Sequence, residues 1–454
     1  MNTPNQKQPN VVVFFTDQQR WDLSGLCNCP LDLTPNFDRI AHQGTHLAQC
    51  ISCQPVCAPA RACLQTGVYA TQNGVWHNKE AIDPSWERQS MATLFRQAGY
   101  HTGYVGKWHI NGTGRGREQA VPKEKRLGYQ HWLAANVLEF CSQPYDCRMF
   151  DENDDEVSLP GYRADAVVDA GIRYIHEHQD EPFFLFISVL EPHHQNEKYD
   201  YVPPQGYRER YAGRWLPPDL ATLPGNAARH AGGYFGCVKR CDEAFGRLLD
   251  ALESTGLRDC TNVLYTADHG CHFNTRPGMD KRSCYESAVH VPGALTGPDF
   301  DGGGIIDQPI SLIDLPPTLL RSAGIEVPGH FEGTPIQEIL SKPARDREDT
   351  EAFIQMSGAG IRRALRTRKW KYAVVADPDT ERDDGTATAY RESDLYDLEH
   401  DPYELCNLVE DGQYSELREH FRQRLLTRMA AIGEPECTID GPEPGTGASG
   451  NGRY

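Results

Sequence analysis

Apolar runs of strand length alternate along this chain with segments in which apolar residues recur at helical spacing. Four runs rich in β-branched or aromatic residues predict buried strands, at residues 11–15, 100–105, 183–190 and 262–266. Residues 164–178 and 231–254 repeat apolar positions every three or four residues and predict helices. Because the two kinds of element alternate, we expect an α/β fold with a large, mostly parallel sheet sandwiched by helices.

The character of the sequence changes near residue 343. Residues 363–374 are basic with interspersed apolar positions and predict a strand, and residues 415–431 predict a helix. We therefore divide the chain into a large α/β domain, residues 1–345, and a smaller C-terminal α+β subdomain, residues 346–454. The subdomain is expected to combine a short antiparallel sheet with a helix.

Polar residues follow all four predicted strands of the larger domain. They are Asp17 and Gln18, Lys107 and His109, His193 and His194, and Asp268 and His269. Parallel strands bring their carboxyl ends to one edge of a sheet, where open α/β sheets bind ligands. The sequence therefore predicts that these residues form one site.

Two of these pairs predict a metal site. Asp17 and Gln18 offer oxygen ligands, and Asp268 and His269 offer a carboxylate and an imidazole nitrogen. Oxygen-rich sites suit a hard cation such as Ca²⁺, whereas a histidine ligand also admits Mn²⁺. The alternative is that both pairs are ordinary loop residues.

Composition narrows the range of partners. The chain has 454 residues and a formal net charge of −19, which argues against nucleic acid as a partner. No apolar run approaches the ~20 residues that span a bilayer, so no membrane is expected as a partner. The fifteen cysteines fit a reducing compartment. Cys27, Cys29, Cys50 and Cys53 suggest a zinc site, but their spacing matches no zinc finger, and buried free thiols are the favoured interpretation.

The amino-terminal residues predict no export signal. Residues 2–10 are polar. The apolar run at residues 11–15 is shorter than the ~7–15 residues of a signal-peptide core. We therefore expect a cytoplasmic protein.

The most specific motif is Cys57-Ala-Pro-Ala-Arg61. It resembles the Cys-x-Pro-x-Arg sequence in which type I sulfatases of the alkaline-phosphatase superfamily have a cysteine oxidised to Cα-formylglycine. Further landmarks of that family follow in order. They are Gly106-Lys-Trp-His109, Pro192-His193, Asp268-His-Gly270, Lys281, Tyr285-Glu286 and Asp314-Leu-Pro-Pro. The resemblance is weakest in residues 111–162 and 195–229, which we expect to shape the substrate pocket.

The resemblance implies a mechanism. A formylglycine-generating enzyme would modify position 57, and a hydroxyl of the hydrated aldehyde would attack sulfur. The implied metal ligands are Asp17, Gln18, Cys57, Asp268 and His269. The residues implied to hold the sulfate oxygens are Arg61, Lys107 and Lys281. His193 would protonate the leaving oxygen, and His109 would take a proton from the second hydroxyl. A helix predicted over residues 60–65 would favour an anion at its N-terminus.

Several roles have competing candidates. His194 competes with His193 and Arg282 competes with Lys281, but the family register favours His193 and Lys281. Asn78 is expected to be an additional donor to the substrate. Other candidate contacts to a uronate or to sugar hydroxyls are His272, Arg276, Arg282 and His290. For these four, solvated loop residues are the alternative.

The predicted activity is hydrolysis of the sulfate esters of a small sulfated carbohydrate. Gln18 and His269 stand where sulfatases commonly have Asp and Asn, and phosphonate monoester hydrolases of the same superfamily share such ligands. Hydrolysis of phosphonate monoesters or phosphodiesters is therefore the alternative activity. A net charge of −19 disfavours long sulfated polymers, so we expect an exo-type pocket for mono- or oligosaccharides.

Overall fold

The computed structural model of the protein describes residues 8–114, 116–343, 347 and 350–443. The domain boundary predicted at residue 345 lies outside this part of the chain. Within it, no helix combines the length and the apolar character needed to cross a membrane.

Three sheets organise the molecule. Their strands are β1 (Asn10–Asp17), β2 (Thr45–Leu47), β3 (Cys50–Ile51), β4 (His101–Lys107), β5 (His131–Ala135), β6 (Cys147–Phe150), β7 (Glu156–Leu159), β8 (Phe183–Pro192), β9 (Thr261–Ala267), β10 (His290–Val291), β11 (Gly293–Thr296), β12 (Gly304–Ile306), β13 (Ile310–Ser311), β14 (Glu351–Met356), β15 (Arg362–Thr367), β16 (Trp370–Ala376), β17 (Ala389–Asp397) and β18 (Thr438–Asp440).

The large sheet has ten strands in the order β12-β2-β11-β9-β1-β8-β4-β5-β6-β7. The five central strands, β9, β1, β8, β4 and β5, are parallel to one another. Antiparallel pairs join this centre to the outer strands, through β11 on one side and β6 on the other. The α/β fold with a mostly parallel centre is confirmed.

Helices cover both faces of this sheet, and the last helix packs against the C-terminal sheet. They are α1 (Pro35–Gln43), α2 (Cys57–Thr66), α3 (Ala70–Asn73), α4 (Met91–Gln97), α5 (Leu138–Cys141), α6 (Arg163–Glu177), α7 (Tyr207–Tyr211), α8 (Pro218–Thr222), α9 (Ala227–Ser254), α10 (Glu286–Val289), α11 (Leu315–Ser322), α12 (Ile336–Ser341) and, near the C-terminus, α13 (Ser415–Ala431).

The central strand β1 shows why its sequence is apolar throughout. Val11, Val13 and Phe15 pack into the core that includes α2, α4 and α11. Val12 and Phe14 pack into the opposite core with α1, α6 and α9. A strand covered on both faces needs apolar residues at every position, so the run shows no polar alternation.

The C-terminal sheet differs from its prediction in one respect. Residues 363–374 were predicted as a single strand, but they form two antiparallel strands, β15 and β16. The turn between them is Arg368-Lys369, where the Thr367 hydroxyl accepts a hydrogen bond from the Trp370 backbone N–H at 3.0 Å. This turn contains none of the Gly, Pro, Asn or Asp residues that mark a hairpin, so the sequence does not predict a break between the two strands.

Candidate active site

Side chains from the carboxyl ends of four parallel strands meet at one edge of the large sheet. Asp17 ends β1, Lys107 ends β4, His193 follows β8 and Asp268 follows β9. All four are buried. The prediction that these strand ends approach one another is confirmed.

Cys57 is the first residue of α2, a helix that is buried along its whole length. The helix begins at residue 57 rather than 60, because Pro59 lies in the first turn, where backbone N–H groups have no partner within the helix. It ends, as predicted, at Gly67, whose φ of 73° is left-handed. A Cβ at Gly67 would lie 2.2 Å from the ring of Phe331. The N-terminus of α2 adds positive potential beside Cys57.

Arg61 lies one helical turn after Cys57 and holds two carboxylates in place. Its Nη2 donates to Asp17 Oδ2 at 2.9 Å, and its Nε donates to Asp268 Oδ2 at 3.0 Å. Its Nη1 donates to Ser188 Oγ at 2.7 Å. The guanidinium is thus fully engaged in the buried core and does not line the pocket. In this structure Arg61 positions Asp17 and Asp268, and its contact with the sulfate oxygens stays a prediction.

A buried cluster fits the predicted metal site. One ligand atom from each of Asp17, Cys57, Asp268 and His269 lies within 4.8 Å of all the others. His269 Nδ1 contacts the backbone oxygen of Gly270 at 3.0 Å. Since a carbonyl only accepts, Nδ1 carries the proton and Nε2 offers its lone pair to the cluster.

Gln18 is hydrogen-bonded to one of these residues, Asp268, through its backbone. Its backbone N–H donates to Asp268 Oδ1 at 3.0 Å, and its side-chain Nε2 donates to Tyr201 Oη at 3.1 Å and to Cys271 Sγ at 3.3 Å. Within the described residues, the buried Gln18 Oε1 has no hydrogen-bond partner. A buried amide oxygen without a partner, on a residue whose backbone N–H bonds to Asp268, fits a ligand to a divalent cation.

The two carboxylates of the cluster differ in their pKa. Burial and the charge of Cys57 raise the pKa of Asp17, but the positive charges of Lys107, His193 and Arg61 outweigh them and hold it well below the usual range. Burial and the negative charge of Asp17 raise the pKa of Asp268 to about 6. A divalent cation between the two would relieve this repulsion and favour both ionised forms.

Glu139, which no motif singled out, is part of the site. Lys107 Nζ lies 2.8 Å from Asp17 Oδ2 and 3.1 Å from Glu139 Oε1. Lys107 is fully buried between these carboxylates and does not line the pocket, and its contact with sulfate oxygens stays a prediction. Burial raises the pKa of Glu139, but the charge of Lys107 brings it down to about 2. Glu139 lies in residues 111–162, where no family landmark was available to find it.

Lys281 is the cation in direct contact with Cys57. Its Nζ lies 2.9 Å from Cys57 Sγ and 3.0 Å from His269 Nε2. Burial raises the pKa of the Cys57 thiol, but the charges of Lys107 and Lys281 lower it well below the ordinary value. The site therefore stabilises negative charge on whatever group the side chain at position 57 carries.

Two histidines line the pocket in positions suited to proton transfer. Within the described chain, both ring nitrogens of His109 are buried without a hydrogen-bond partner. Burial and the charge of Lys107 lower the pKa of His109, which favours its neutral, basic form. His193 Nδ1 donates to the carbonyl oxygen of His194 at 2.7 Å. Burial and the charge of His193 lower the pKa of His194 to about 2, which favours the neutral form of His194.

A cavity of about 790 Å³ opens above Cys57. As expected, the two segments with the weakest family resemblance wall it. They contribute Thr113, Arg117, Val137, Glu139 and Phe140 from residues 111–162, and Asn196, Glu197 and Tyr199 from residues 195–229. Asn78 and Arg282 also line the cavity, as predicted. The Asn78 Oδ1 accepts a hydrogen bond from the Ala58 N–H at 3.1 Å, so Asn78 also caps the start of α2.

Three residues expected near the substrate do not line this pocket. His272 is fully buried, and its Nε2 lies 2.9 Å from the Lys281 carbonyl oxygen. Arg276 donates to backbone carbonyls of the C-terminal subdomain. His290 is buried with its ring stacked on Trp21. In this structure each of the three contacts a surrounding segment instead of lining the cavity, and their contacts with a substrate stay predictions.

The cysteines form no zinc site of the kind considered. All fifteen belong to the described part of the chain, and none is in a disulfide. Among the described residues, no potential metal cluster includes Cys27, Cys29, Cys50 or Cys53. The favoured interpretation as free thiols is consistent with this arrangement.

Comparison with known proteins identifies the family. Residues 9–325 match the family model Sulfatase, and residues 277–431 match the model N-sulphoglucosamine sulphohydrolase, C-terminal. The chain is 30% identical over 445 residues to an ulvan-active sulfatase of Formosa agariphila, with 94% of this chain and 82% of the relative covered. The protein belongs to the sulfatase family and is a sulfuric ester hydrolase.

Solved structures share the fold. A protein in complex with its substrate D-glucosamine-2-N,6-O-disulfate has a TM-score of 0.78 at 21% identity, covering 94% of this chain and 98% of that one. The phosphonate monoester hydrolase of Agrobacterium radiobacter has a lower TM-score of 0.70 at 20% identity, covering 93% of this chain and 96% of that one. Both likenesses concern the fold.

Proposed function

We propose that this sulfatase hydrolyses the sulfate esters of small sulfated saccharides and that a formylglycine-generating enzyme oxidises Cys57 to Cα-formylglycine. The main observation in support is the position of Cys57 Sγ, which lies 2.9 Å from Lys281 Nζ and 3.2 Å from His269 Nε2. In this structure the sulfur stands where the oxygens of the hydrated aldehyde would lie. A nucleophile at that point has a cation on one side and metal ligands on another, as attack on a sulfate ester requires.

One hydroxyl of the hydrated aldehyde gives its proton to solvent, and its oxygen bonds to sulfur as the ester S–O bond breaks. Deprotonation of the second hydroxyl then reforms the C=O bond and breaks the C–O bond to the sulfate, which leaves and restores the aldehyde. Lys281 neutralises charge on the sulfate oxygens. His193 gives its proton to the departing sugar oxygen. His109, held neutral by burial and by the charge of Lys107, accepts the proton of the second hydroxyl.

The donor set supports a bound divalent cation. The proposed ligands from the chain are Asp17, Gln18, Asp268 and His269, together with the modified side chain at position 57. Ca²⁺ is the first candidate because oxygen ligands predominate, and Mn²⁺ is the second because of the imidazole. When bound, the cation supplies Lewis-acid polarisation at the nucleophile. Ion pairs with Arg61 and Lys107 fix the positions of the ligand carboxylates of Asp17 and Asp268.

The saccharide assignment rests on the pocket and on the relatives. A cavity of about 790 Å³ lies within the range of pockets that enclose small ligands. Its walls combine hydrogen-bonding groups of Thr113 and Asn196 with the aromatic ring of Phe140. The ulvan-active sulfatase and the protein bound to a glucosamine disulfate both have names that indicate carbohydrate substrates.

A second candidate activity, hydrolysis of phosphonate monoesters or phosphodiesters, is favoured by Gln18 and His269 alone. The two activities are compared through kcat/KM for p-nitrophenyl sulfate and for p-nitrophenyl phenylphosphonate, with equal metal present. We expect the sulfate ester to be preferred by at least ~100-fold, which corresponds to ~2.7 kcal/mol in the transition state. A preference for the phosphonate would reverse the assignment.

We also propose that the enzyme works in the cytoplasm. All fifteen cysteines, each within the described residues, are unpaired, which suits a reducing compartment. Fractionation of the native cells measures where the activity lies. Recovery of most of the activity outside the cytoplasmic fraction would contradict this proposal.

A further inference from the structure

Two cationic side chains at the mouth of the pocket lack an acidic partner. Lys79 is exposed and Arg282 is half-buried, and both line the cavity. Across the described residues, neither side chain has a carboxylate oxygen within 4.0 Å, and the contact of the Arg282 guanidinium is with Met279 Sδ at 3.9 Å. This is unexpected in a chain where 64 acidic residues outnumber 45 basic ones.

Hydrogen bonds hold these cations beside the start of α2. The Arg282 backbone N–H donates to the Pro55 carbonyl at 3.3 Å. The residue before Lys79 is Asn78, whose Oδ1 accepts from the Ala58 N–H at 3.1 Å. The segment with Arg282 is therefore bonded to Pro55, two residues before Cys57, and the segment with Lys79 is bonded to Ala58, the residue after it.

His77 shows that the two cations share one electropositive patch. Burial lowers the pKa of His77, and the positive charges of Arg282 and Lys79 lower it further. His77 also lines the cavity. The C-terminal subdomain supports this wall closely: a Cβ on Gly358, where φ is 108°, would lie 2.2 Å from His77 Cδ2.

Each acidic residue of the pocket has at least one hydrogen bond or ion pair to a group other than Lys79 or Arg282. Glu139 is paired with the buried ammonium of Lys107. Asp280 Oδ2 accepts a hydrogen bond from Tyr199 Oη at 2.6 Å. Glu197 Oε2 accepts one from the side chain of residue 143 at 3.2 Å. Among the described residues, no carboxylate therefore pairs directly with Lys79 or Arg282, although Glu80 lies next to Lys79 in the chain and ends 4.0 Å from His77.

We propose that Lys79 and Arg282 form a subsite for a second anionic substituent of the saccharide, while the scissile sulfate lies at Cys57. This inference rests on the proposed sulfatase function. The bound group is a carboxylate or a second sulfate. A carboxylate is planar and a sulfate is tetrahedral, and a guanidinium can donate two N–H groups to either of them. The Lys79 ammonium would add a point charge.

The test compares three disaccharides with the same scissile sulfate: one otherwise neutral, one with a uronate and one with a second sulfate. Wild-type kcat/KM should be ~10-fold or more higher for at least one dianionic substrate, since charged hydrogen bonds contribute ~1.5–3 kcal/mol. Lys79→Gln and Arg282→Gln should each lower that preference ~10-fold, mainly through KM. The substrate that loses most identifies the second anion as carboxylate or sulfate.

Controls separate a subsite from general electrostatics. Lys342→Gln and Arg88→Gln remove the same charge from exposed positions away from the pocket and should retain the preference. Equal losses on the neutral and dianionic substrates, or equal effects of the control variants, would overturn the subsite. A wild type that hydrolyses none of the three refutes the proposed function instead. Calorimetric binding of the dianionic sugars to Cys57→Ala, with and without Lys79→Gln, still tests the subsite in that case.

Discussion

Lys281 Nζ lies 2.9 Å from Cys57 Sγ, although 224 residues separate the two in the chain. The segment that carries Lys281 is anchored by His272, whose ring nitrogen lies 2.9 Å from the Lys281 carbonyl oxygen. Burial keeps His272 neutral, since it lowers its pKa to about 4. The contact gives position 57 a positively charged partner.

Replacement of Lys281 should therefore impair the chemical step. We expect Lys281→Met to lower kcat for an aryl sulfate by on the order of 10²–10³, as loss of one preorganised donor to developing charge typically does. Steady-state kinetics at saturating metal measure this, with the exposed Lys342→Met as the matched control. A kcat within threefold of wild type would show that Lys281 does not stabilise the transition state.

Arg61 should matter first for stability. Arg61→Met leaves Asp17 and Asp268 buried without their shared guanidinium, and loss of one partner from a buried ion pair costs ~3–5 kcal/mol. Urea unfolding of wild type and variant, both freed of metal, gives the free energy of unfolding. Arg88→Met, at an exposed position, should change it by less than ~0.5 kcal/mol. Equal stability of Arg61→Met and wild type would exclude the positioning role.

Removal of divalent cations should abolish turnover. Dialysis against a chelator is expected to inactivate the enzyme, and Ca²⁺ or Mn²⁺ should restore it. Because Gln18 Oε1 is proposed as a ligand, Gln18→Ala should weaken metal binding by ~10-fold or more. The affinity is measured by titrating the metal-free protein with the metal and determining the amount of metal bound. Unchanged metal affinity in Gln18→Ala would remove this residue from the ligand set, and full activity after verified metal removal would refute the metal requirement.

Much of the site was predictable because strand ends carry local signals. Asp17, His193 and Asp268 each directly end or follow an apolar run, and the order of parallel strands brings such ends together. Glu139 was not predictable, because its role depends on the distant Lys107 and no periodic pattern surrounds it. The two carboxylates that Arg61 contacts were not predictable for a related reason. A motif shows that an arginine is present, whereas its direction depends on which carboxylates fold around it.

Asp242 should give stability a distinct pH dependence. It lies on α9 and accepts hydrogen bonds from the N–H groups of Asn36 and Phe37 at the start of α1. Burial raises its pKa to about 6, above the ordinary value of about 3.9. Between these values the folded state binds more protons than the unfolded state, so this residue lowers the free energy of unfolding as pH rises from about 4 to 6.

Asp242→Asn removes that titration. Urea unfolding at pH 4, 5 and 6 should show a change of stability with pH that is less negative than in wild type, whatever the absolute stability of the variant. Asp250→Asn, at an exposed position of the same helix, should leave the pH profile as it is in wild type. Identical profiles for Asp242→Asn and wild type would contradict the shifted pKa.

The central claim is that an oxidised Cys57 is the nucleophile. It is tested by preparing the enzyme with graded levels of a formylglycine-generating enzyme and measuring, on each preparation, the mass of the Cys57 peptide and the rate of sulfate release. The aldehyde form has lost H₂S and gained one oxygen. We predict that specific activity rises in proportion to the aldehyde fraction and is abolished in Cys57→Ala. Activity that is independent of that fraction, or that persists in Cys57→Ala, would contradict the account.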